Sequence, residues 1–382
     1  MKEIQSKLPK VGTTIFTVMS QMASEYNAIN LSQGFPDFPV SEKLIDLVYQ
    51  NMQIGHNQYA PMPGLPQLRE AIANKIKNTG GINLDTDSQI TVSAGATEAI
   101  FSSVLATVQK GDEVIVLEPA YDCYIPAIEL AGGTVIPVSL NIPDCSPDWQ
   151  KIRDHISDKT RMLIINFPHN PSGAILTESD VSELKDILDK NPQLLILSDE
   201  VYEHIIFDGK TNLSVLKDEF LASRSIAISS FGKTFHATGW KIGYMVAPEA
   251  VMKEIRKVHQ YNCFSVHTPS QYAMAEYLQD EQNYLGVSSM YEKKREFFQE
   301  AMQNSKFKVI PSYGTYFQLL EFSEVSDMGD MDFAQYLIKE KGVASIPVSA
   351  FYSDKQDHHL LRFCFAKGEE TLKKATDILC EI

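Results

Sequence analysis

The chain has 382 residues, 44% of them hydrophobic and 22% charged, with 34 basic against 49 acidic side chains and a formal net charge of −15. That length suits two or three domains with a sizeable core, and the acidic balance argues against nucleic acid or an anionic membrane as the main partner, because both call for a basic footprint. Five scattered cysteines with no CxxC pair argue for a reduced chain without a structural metal site. The opening MKEIQSKLPKVG lacks a signal-type apolar core and no stretch approaches the roughly 18 apolar residues of a membrane helix, so a cytoplasmic protein is expected.

The first forty residues read as irregular and turn-rich, ending in NLSQGFPDFP. From about residue 67 the patterns alternate. QLREAIANKI is helical, DSQITVSAG is a short strand ending at a glycine, and ATEAIFSSVLATVQKG is a helix closed by Gly111. EVIVLEP follows as a buried strand, DCYIPAIELAGG as a helix and TVIPV as a strand. RMLIINFP, LLILSDE and SIAISS are further short apolar runs, with helical VSELKDILDK between the first two. Short apolar strands separated by helices predict an α/β fold with a mostly parallel central sheet flanked by helices. Ligands of such sheets sit at the carboxyl ends of the strands. Beyond about residue 285 the texture changes: helical MYEKKREFFQEAMQ leads to TYFQLLEF, helical MDFAQYLIKEKG, strand LLRFCFA and a last helix in which Leu372, Ala375, Leu379 and Ile382 share a face. This alternation predicts a smaller α/β domain.

The run AISSFGKT, residues 227–234, admits two readings. Its Gly-Lys-Thr tail follows a strand, as in a nucleotide-binding P-loop, and Asp199-Glu200 imitates a magnesium-binding strand end. Such a loop must open a helix, whose free N–H groups hold the phosphates. Here Gly239 and Gly243 interrupt any helix, and the acidic strand lies upstream rather than downstream. The other reading makes Lys233 a covalent nucleophile toward an aldehyde, which needs a desolvated or cationic setting to shed its proton. Pyridoxal phosphate is such an aldehyde. It also demands a phosphate cup, an acid beside the pyridine nitrogen, donors to the ring hydroxyl and a stacking residue.

Each demand has a candidate at a strand end. Asp199 would keep the pyridine nitrogen protonated, and Asn170 and Tyr202 would donate to the ring hydroxyl. Gly95, Ala96 and Thr97 sit between a strand and a helix, where small residues let backbone N–H groups approach a phosphate. Ser230 and Lys241 would complete the cup, and Tyr121 would stack on the ring. Taken singly, each has a plainer reading: a strand-end acid capping a turn, an Asn-Pro turn, a glycine turn, a packed aromatic.

Taken together, the chain resembles the class I, fold-type I aminotransferases that use pyridoxal phosphate, and most of all the bacterial methionine aminotransferases with the related kynurenine and glutamine transaminases. The matching stretches are LSQGFPDFP, NQYAPMPGLPQLREAIA, VSAGATEAI, EPAYDCY, NFPHNPSG, SDEVYEHI, SSFGKTFHATGWKIGY and LRFCFAK, in the family's order across residues 31 to 367. The resemblance implies that Lys233 is the Schiff-base lysine and moves the proton, and that Tyr59 reaches the phosphate from the neighbouring subunit of a homodimer. It further implies that Arg362 binds the substrate α-carboxylate as a fork, with the Gly34 backbone and Phe35 beside it. It also implies that residues 1–40 join a small C-terminal domain, 285–382, beside a large cofactor-binding domain, 41–284. The family often carries arginine where this chain has Lys241, and threonine where it has Ser172.

The apolar set expected near the site, Phe35, Tyr59, Tyr121 and Phe264, points to a neutral, bulky amino donor such as methionine or an aromatic amino acid, with a 2-oxo acid as acceptor. No second arginine is assignable to a distal carboxylate. His267 either lines the pocket or merely starts a helix. A β-lyase acting on cysteine conjugates, or a kynurenine or glutamine transaminase, is the alternative on the same scaffold, and a P-loop nucleotidase is the remote one.

Overall fold

The computed structural model describes residues 4–382, so the first three residues of the expected 1–40 segment lie outside it. The strands in chain order are β1 (Ile29–Asn30), β2 (Ile90–Ser93), β3 (Glu113–Glu118), β4 (Thr134–Ser139), β5 (Thr160–Asn166), β6 (Leu195–Asp199), β7 (Ser225–Ser230), β8 (Gly243–Val246), β9 (Lys308–Val309), β10 (Phe317–Glu321), β11 (Val343–Ala344), β12 (Ile346–Pro347) and β13 (Leu360–Cys364). Seven of them form the central sheet in the order β2-β8-β7-β6-β5-β3-β4. The pairs from β4 through β7 are parallel, and β8 is antiparallel to both its neighbours.

The apolar runs make this sheet because side chains alternate between its faces. Leu163 and Ile165 of β5 enter one core, while Met162 and Ile164 enter the other. Helices cover both faces, as parallel strands require. Carboxyl ends of six strands therefore share one edge of the sheet. The reversed β8 contributes its amino end there, which brings in the residues just before Gly243.

A third core gathers Leu319 of β10, Leu361 and Phe363 of β13, Phe298, and Leu372 and Leu379 of the last helix, Glu369–Cys380. Met19, Ala23 and Leu31 from the N-terminal segment belong to the same core. Strand β1 pairs in parallel with β11, and the Cys364 N–H donates to the Leu31 carbonyl at 2.8 Å. The strap that follows is held by the C-terminal region: Lys367 Nζ donates to the Phe35 carbonyl at 2.8 Å, and Asp37 accepts from the Gly368 N–H and the Thr371 hydroxyl at 2.7 and 3.0 Å.

The structure corrects the irregular reading of the first forty residues, because Ile15–Glu25 is a helix. Its β-branched Ile15, Thr17 and Val18 weaken the local signal. A Thr14 cap accepting from the Thr17 N–H, and the burial of Met19 and Ala23, stabilise it instead. The helix in MDFAQYLIKEKG runs over Asp330–Tyr336 and then widens to a π-helical turn, Leu337–Lys341, ending at Gly342. Among the described residues no helix is long and apolar enough to cross a membrane.

Candidate active site

A cleft of about 320 Å³ opens at the carboxyl edge of the central sheet. Gly95, Ala96, Thr97, Tyr121, Asn170, Asp199, Tyr202, Ser230, Lys233, Lys241, Gly34, Phe35 and Arg362 all line it. Residues separated by up to 328 positions thus meet because five strands of one sheet end together and the N-terminal strap closes over them.

At the deep end, Gly95 leaves β2 at φ +80° and caps the helix Ala96–Thr107, leaving its first N–H groups turned to the cleft. A Cβ on Gly95 would lie 3.2 Å from both Cε and Nζ of Lys241, so the lysine lies along the bare glycine backbone. Lys241 itself is held in the left-handed region at φ +51° before β8, and makes no ion pair among the described residues. Ser230 ends β7 and lines the same cleft, across Gly243 of β8 from the end of β2. Free N–H groups, a hydroxyl and a cation form a site for a dianion.

Asp199 ends β6 and is buried. Its Oδ2 accepts from the Tyr124 hydroxyl at 2.6 Å, its Oδ1 from the Val201 N–H at 3.3 Å, and no basic side chain pairs with it among the described residues. Burial raises its pKa from 3.8 to about 6; the Tyr124 bond and Lys233 oppose that shift only in part. Asn166 braces the backbone beneath, donating from Nδ2 to the Asp199 carbonyl at 2.8 Å and accepting the Asn170 N–H at 3.0 Å.

Lys233 lies on the single helical turn Phe231–Thr234 that follows β7. Its Nζ donates to the Gly34 carbonyl at 3.2 Å, a carbonyl that also accepts the Tyr316 hydroxyl at 2.6 Å. The ammonium sits 5.8 Å from the Tyr202 ring centroid and 5.6 Å from that of Tyr316. Burial, with Arg362 and Lys241 adding like charge, brings its pKa down from 10.5 to about 8. Burial pushes the Tyr202 and Tyr121 hydroxyls up, so both stay protonated at neutral pH and can donate a hydrogen bond.

At the other end, Arg362 of β13 is fully enclosed. Its Nη1 donates to Asn170 Oδ1 at 2.9 Å and its Nη2 to the Ser32 carbonyl at 2.8 Å, while the buried Nε has no partner. Burial lowers its pKa to about 10, which leaves it charged at neutral pH. The guanidinium lies over the rings of Phe317, Phe16 and Phe351 at 4.0, 5.2 and 5.4 Å. Phe16, from the unforeseen N-terminal helix, lines the cleft as well.

Three expected neighbours are elsewhere in the protomer. Tyr59 is 81% exposed and packs edge-to-face on Phe264 at 5.2 Å, outside the cleft. His267 borders the same outer hollow as Tyr59 and bonds Ser270 at 2.8 Å. Sequence reasoning passed over Tyr124, Asn166 and Phe16. The first two sit inside EPAYDCY and NFPHNPSG, but the bonds to Asp199 that give them a role span 75 and 33 positions of the chain. The nucleotide-loop reading also loses its geometry: the Gly-Lys-Thr run opens one turn rather than a helix, and Glu200 is spent on Ser198 and the Val215 N–H.

The family model for aminotransferase class I and II matches residues 26–379. The methionine aminotransferase of Escherichia coli is 47% identical over 379 residues, spanning 99% of this chain and 98% of its own. A solved E. coli structure, described as identifying a methionine aminotransferase function, superposes with a TM-score of 0.98 and covers 100% of both chains. Kynurenine–oxoglutarate transaminase 1 of Mus musculus is 32% identical, over 99% of this chain and 98% of its own. A match that runs almost end to end, in sequence and in fold, leaves one assignment: the chain belongs to the class I and II aminotransferases and is an enzyme of the transaminase type.

Proposed function

We propose that the cleft binds pyridoxal phosphate and that the enzyme moves the amino group of a neutral, bulky L-amino acid, methionine or an aromatic one, to a 2-oxo acid. The observation that carries this reading is the pairing of a buried lysine whose pKa falls to about 8 with a buried carboxyl that has no cationic partner, in one cleft. The donor set fits the cofactor at every end: Gly95, Ala96, Thr97, Ser230 and Lys241 for the phosphate, Tyr121 for the ring face, Asn170 and Tyr202 for the ring hydroxyl, and Asp199 for the pyridine nitrogen. Asp199 lacks a positive partner, and a protonated pyridine nitrogen is one.

When bound, the cofactor supplies a carbonyl that an amine can attack and a ring that withdraws electrons from the carbon bearing the amino group. Lys233 would hold it through Nζ. At a pKa near 8, roughly a tenth of that amine is neutral at pH 7, against less than a thousandth for an unperturbed lysine. Once released by substrate, Nζ would take the proton from the substrate α-carbon and return it elsewhere. Arg362, with its unpartnered Nε, would receive the α-carboxylate, and Gly34 and Phe35 would border it. Phe16 and Phe317 line the cleft beside that guanidinium and Phe35 lines it as well, which favours an apolar side chain.

The exposure of Tyr59 supports a homodimer in which each protomer lends this residue to its partner's phosphate. The cores support residues 41–284 as the large domain and 285–382, joined by 1–40, as the smaller one. A cytoplasmic location fits the reduced cysteines. The absorption spectrum of the purified protein, followed by borohydride reduction and peptide mapping, tests the cofactor: a visible band and a pyridoxyl label on Lys233 are expected, and a colourless protein overturns the reading. Single-turnover spectra with a panel of amino acids test the donor, and faster conversion by aspartate than by methionine overturns that part.

A further inference from the structure

Outside the cleft, Glu98, His259 and Cys263 bring a carboxylate, an imidazole and a thiol within 4.8 Å of one another. The set resembles a metal centre, but its carboxylate and imidazole already hold other partners. Glu98 Oε1 accepts from His259 Nδ1 at 2.9 Å and from the Ser102 hydroxyl at 2.5 Å, and its Oε2 accepts the Ala94 N–H at 3.2 Å. The other imidazole nitrogen, Nε2, lies 3.2 Å from the Met62 carbonyl. His259 is fully buried in the helix Glu249–Asn262, which packs against the helix Ala96–Thr107.

The two ends of this bridge matter. Ala94 immediately precedes the Gly95–Thr97 turn, and Glu98 reaches back to it from the third position of the helix, fixing how the chain enters the turn. Met62 lies three residues after Tyr59, in the same segment between the helices Glu42–Gln53 and Pro66–Asn78. We propose that His259 is a positioning residue for the cofactor phosphate. Through Glu98 it sets the turn that faces the phosphate of its own subunit, and through Met62 it sets the loop that presents Tyr59 to the partner. This rests on the reading of Gly95–Thr97 and Tyr59 as phosphate contacts. One imidazole, touching no cofactor, then ties together what its subunit gives to its own phosphate and what it gives to the partner's.

The experiment compares dissociation constants of the cofactor-free protein for pyridoxal phosphate and for pyridoxal, which lacks the phosphate. Loss of a buried hydrogen bond to a charged group predicts that His259→Leu weakens pyridoxal phosphate about tenfold, while pyridoxal binding stays within about twofold. Glu98→Gln, isosteric and safer for folding, is expected to act in the same direction. In a double-mutant cycle Tyr59→Phe is expected to cost less in the His259→Leu background than in the parent, because the loop is no longer held. Equal weakening of both ligands, or full additivity with Tyr59→Phe, overturns the proposal. A parent protein that binds neither ligand overturns instead the cofactor reading on which it stands.

Discussion

Arg362 Nη1 donates to Asn170 Oδ1 at 2.9 Å, and this contact joins the smaller sheet to the turn after β5 in the larger one. The bond uses the oxygen of the Asn170 amide and leaves its nitrogen as the donor. One side chain thereby sets the spacing between the Arg362 guanidinium and the turn that follows β5.

Asn170→Ala should leave a buried guanidinium N–H unpartnered and free the arginine to tilt. A fall of about 10- to 100-fold in kcat/KM for methionine is expected, the scale of a lost bond to a buried charge. Arg362→Lys should cost at least as much, because a point charge cannot replace the fork. Steady-state kinetics check both, and values within twofold of the parent would contradict the assignment.

The lowered pKa of Lys233 fixes a pH dependence. Only the neutral amine attacks an aldehyde, so the rate at which cofactor-free enzyme captures pyridoxal phosphate should rise with pH and level off above about 8. Stopped-flow absorbance reads this rate. Lys233→Ala should show no such capture and no transamination.

Asp199 makes the opposite kind of prediction, about stability. Its folded pKa is raised from 3.8 to about 6, so the protonated form suits the cofactor-free fold. Its favourable contribution is fully present below pH 3.8 and is lost as pH rises through about 6. Above that range the buried carboxylate costs the cofactor-free protein about 3 kcal/mol. Asp199→Asn should therefore stabilise the cofactor-free protein at pH 8, with the gain vanishing near pH 4, while weakening pyridoxal phosphate. Urea unfolding at the two pH values measures the first effect.

Gly95→Ala tests the phosphate turn. The backbone there, at φ +80° and ψ 170°, is a region that residues with a Cβ avoid, at a cost of about 1–3 kcal/mol. The added methyl also meets Lys241 at 3.2 Å. Lower thermal stability and weaker cofactor binding are expected together. An unchanged affinity would separate this turn from the phosphate.

Much of this site was legible because the sheet presents it in order. Asp199, Asn170, Ser230 and Gly95 each follow an apolar run, and the carboxyl ends of parallel strands must converge. Arg362 announced itself by sitting between Leu361 and Phe363. Tyr124 was hidden because its hydroxyl acts on a residue 75 positions away, and a tyrosine in an apolar helix looks like packing. Phe16 was hidden because β-branched neighbours masked the helix that carries it. The Glu98–His259 pair escaped for a third reason. Neither residue lies at a strand end, and their partners at Ala94 and Met62 are backbone groups, which leave no mark on side-chain identity.

The Ser32 carbonyl that receives Arg362 is 330 residues upstream of it. A ribosome makes the first partner long before the second exists. While most of the chain has emerged, the strands that end at Asp199 and Ser230 can already pair, but Arg362 is missing and the strap at Phe35 and Asp37 still lacks its anchors at Lys367, Gly368 and Thr371. On the proposed assignment, the nascent enzyme would assemble the Gly95–Lys241 end well before the Arg362 end. Amino-acid binding, assigned to Arg362, would then be the last property the growing chain acquires, and a chain cut before Arg362 is expected to lack it.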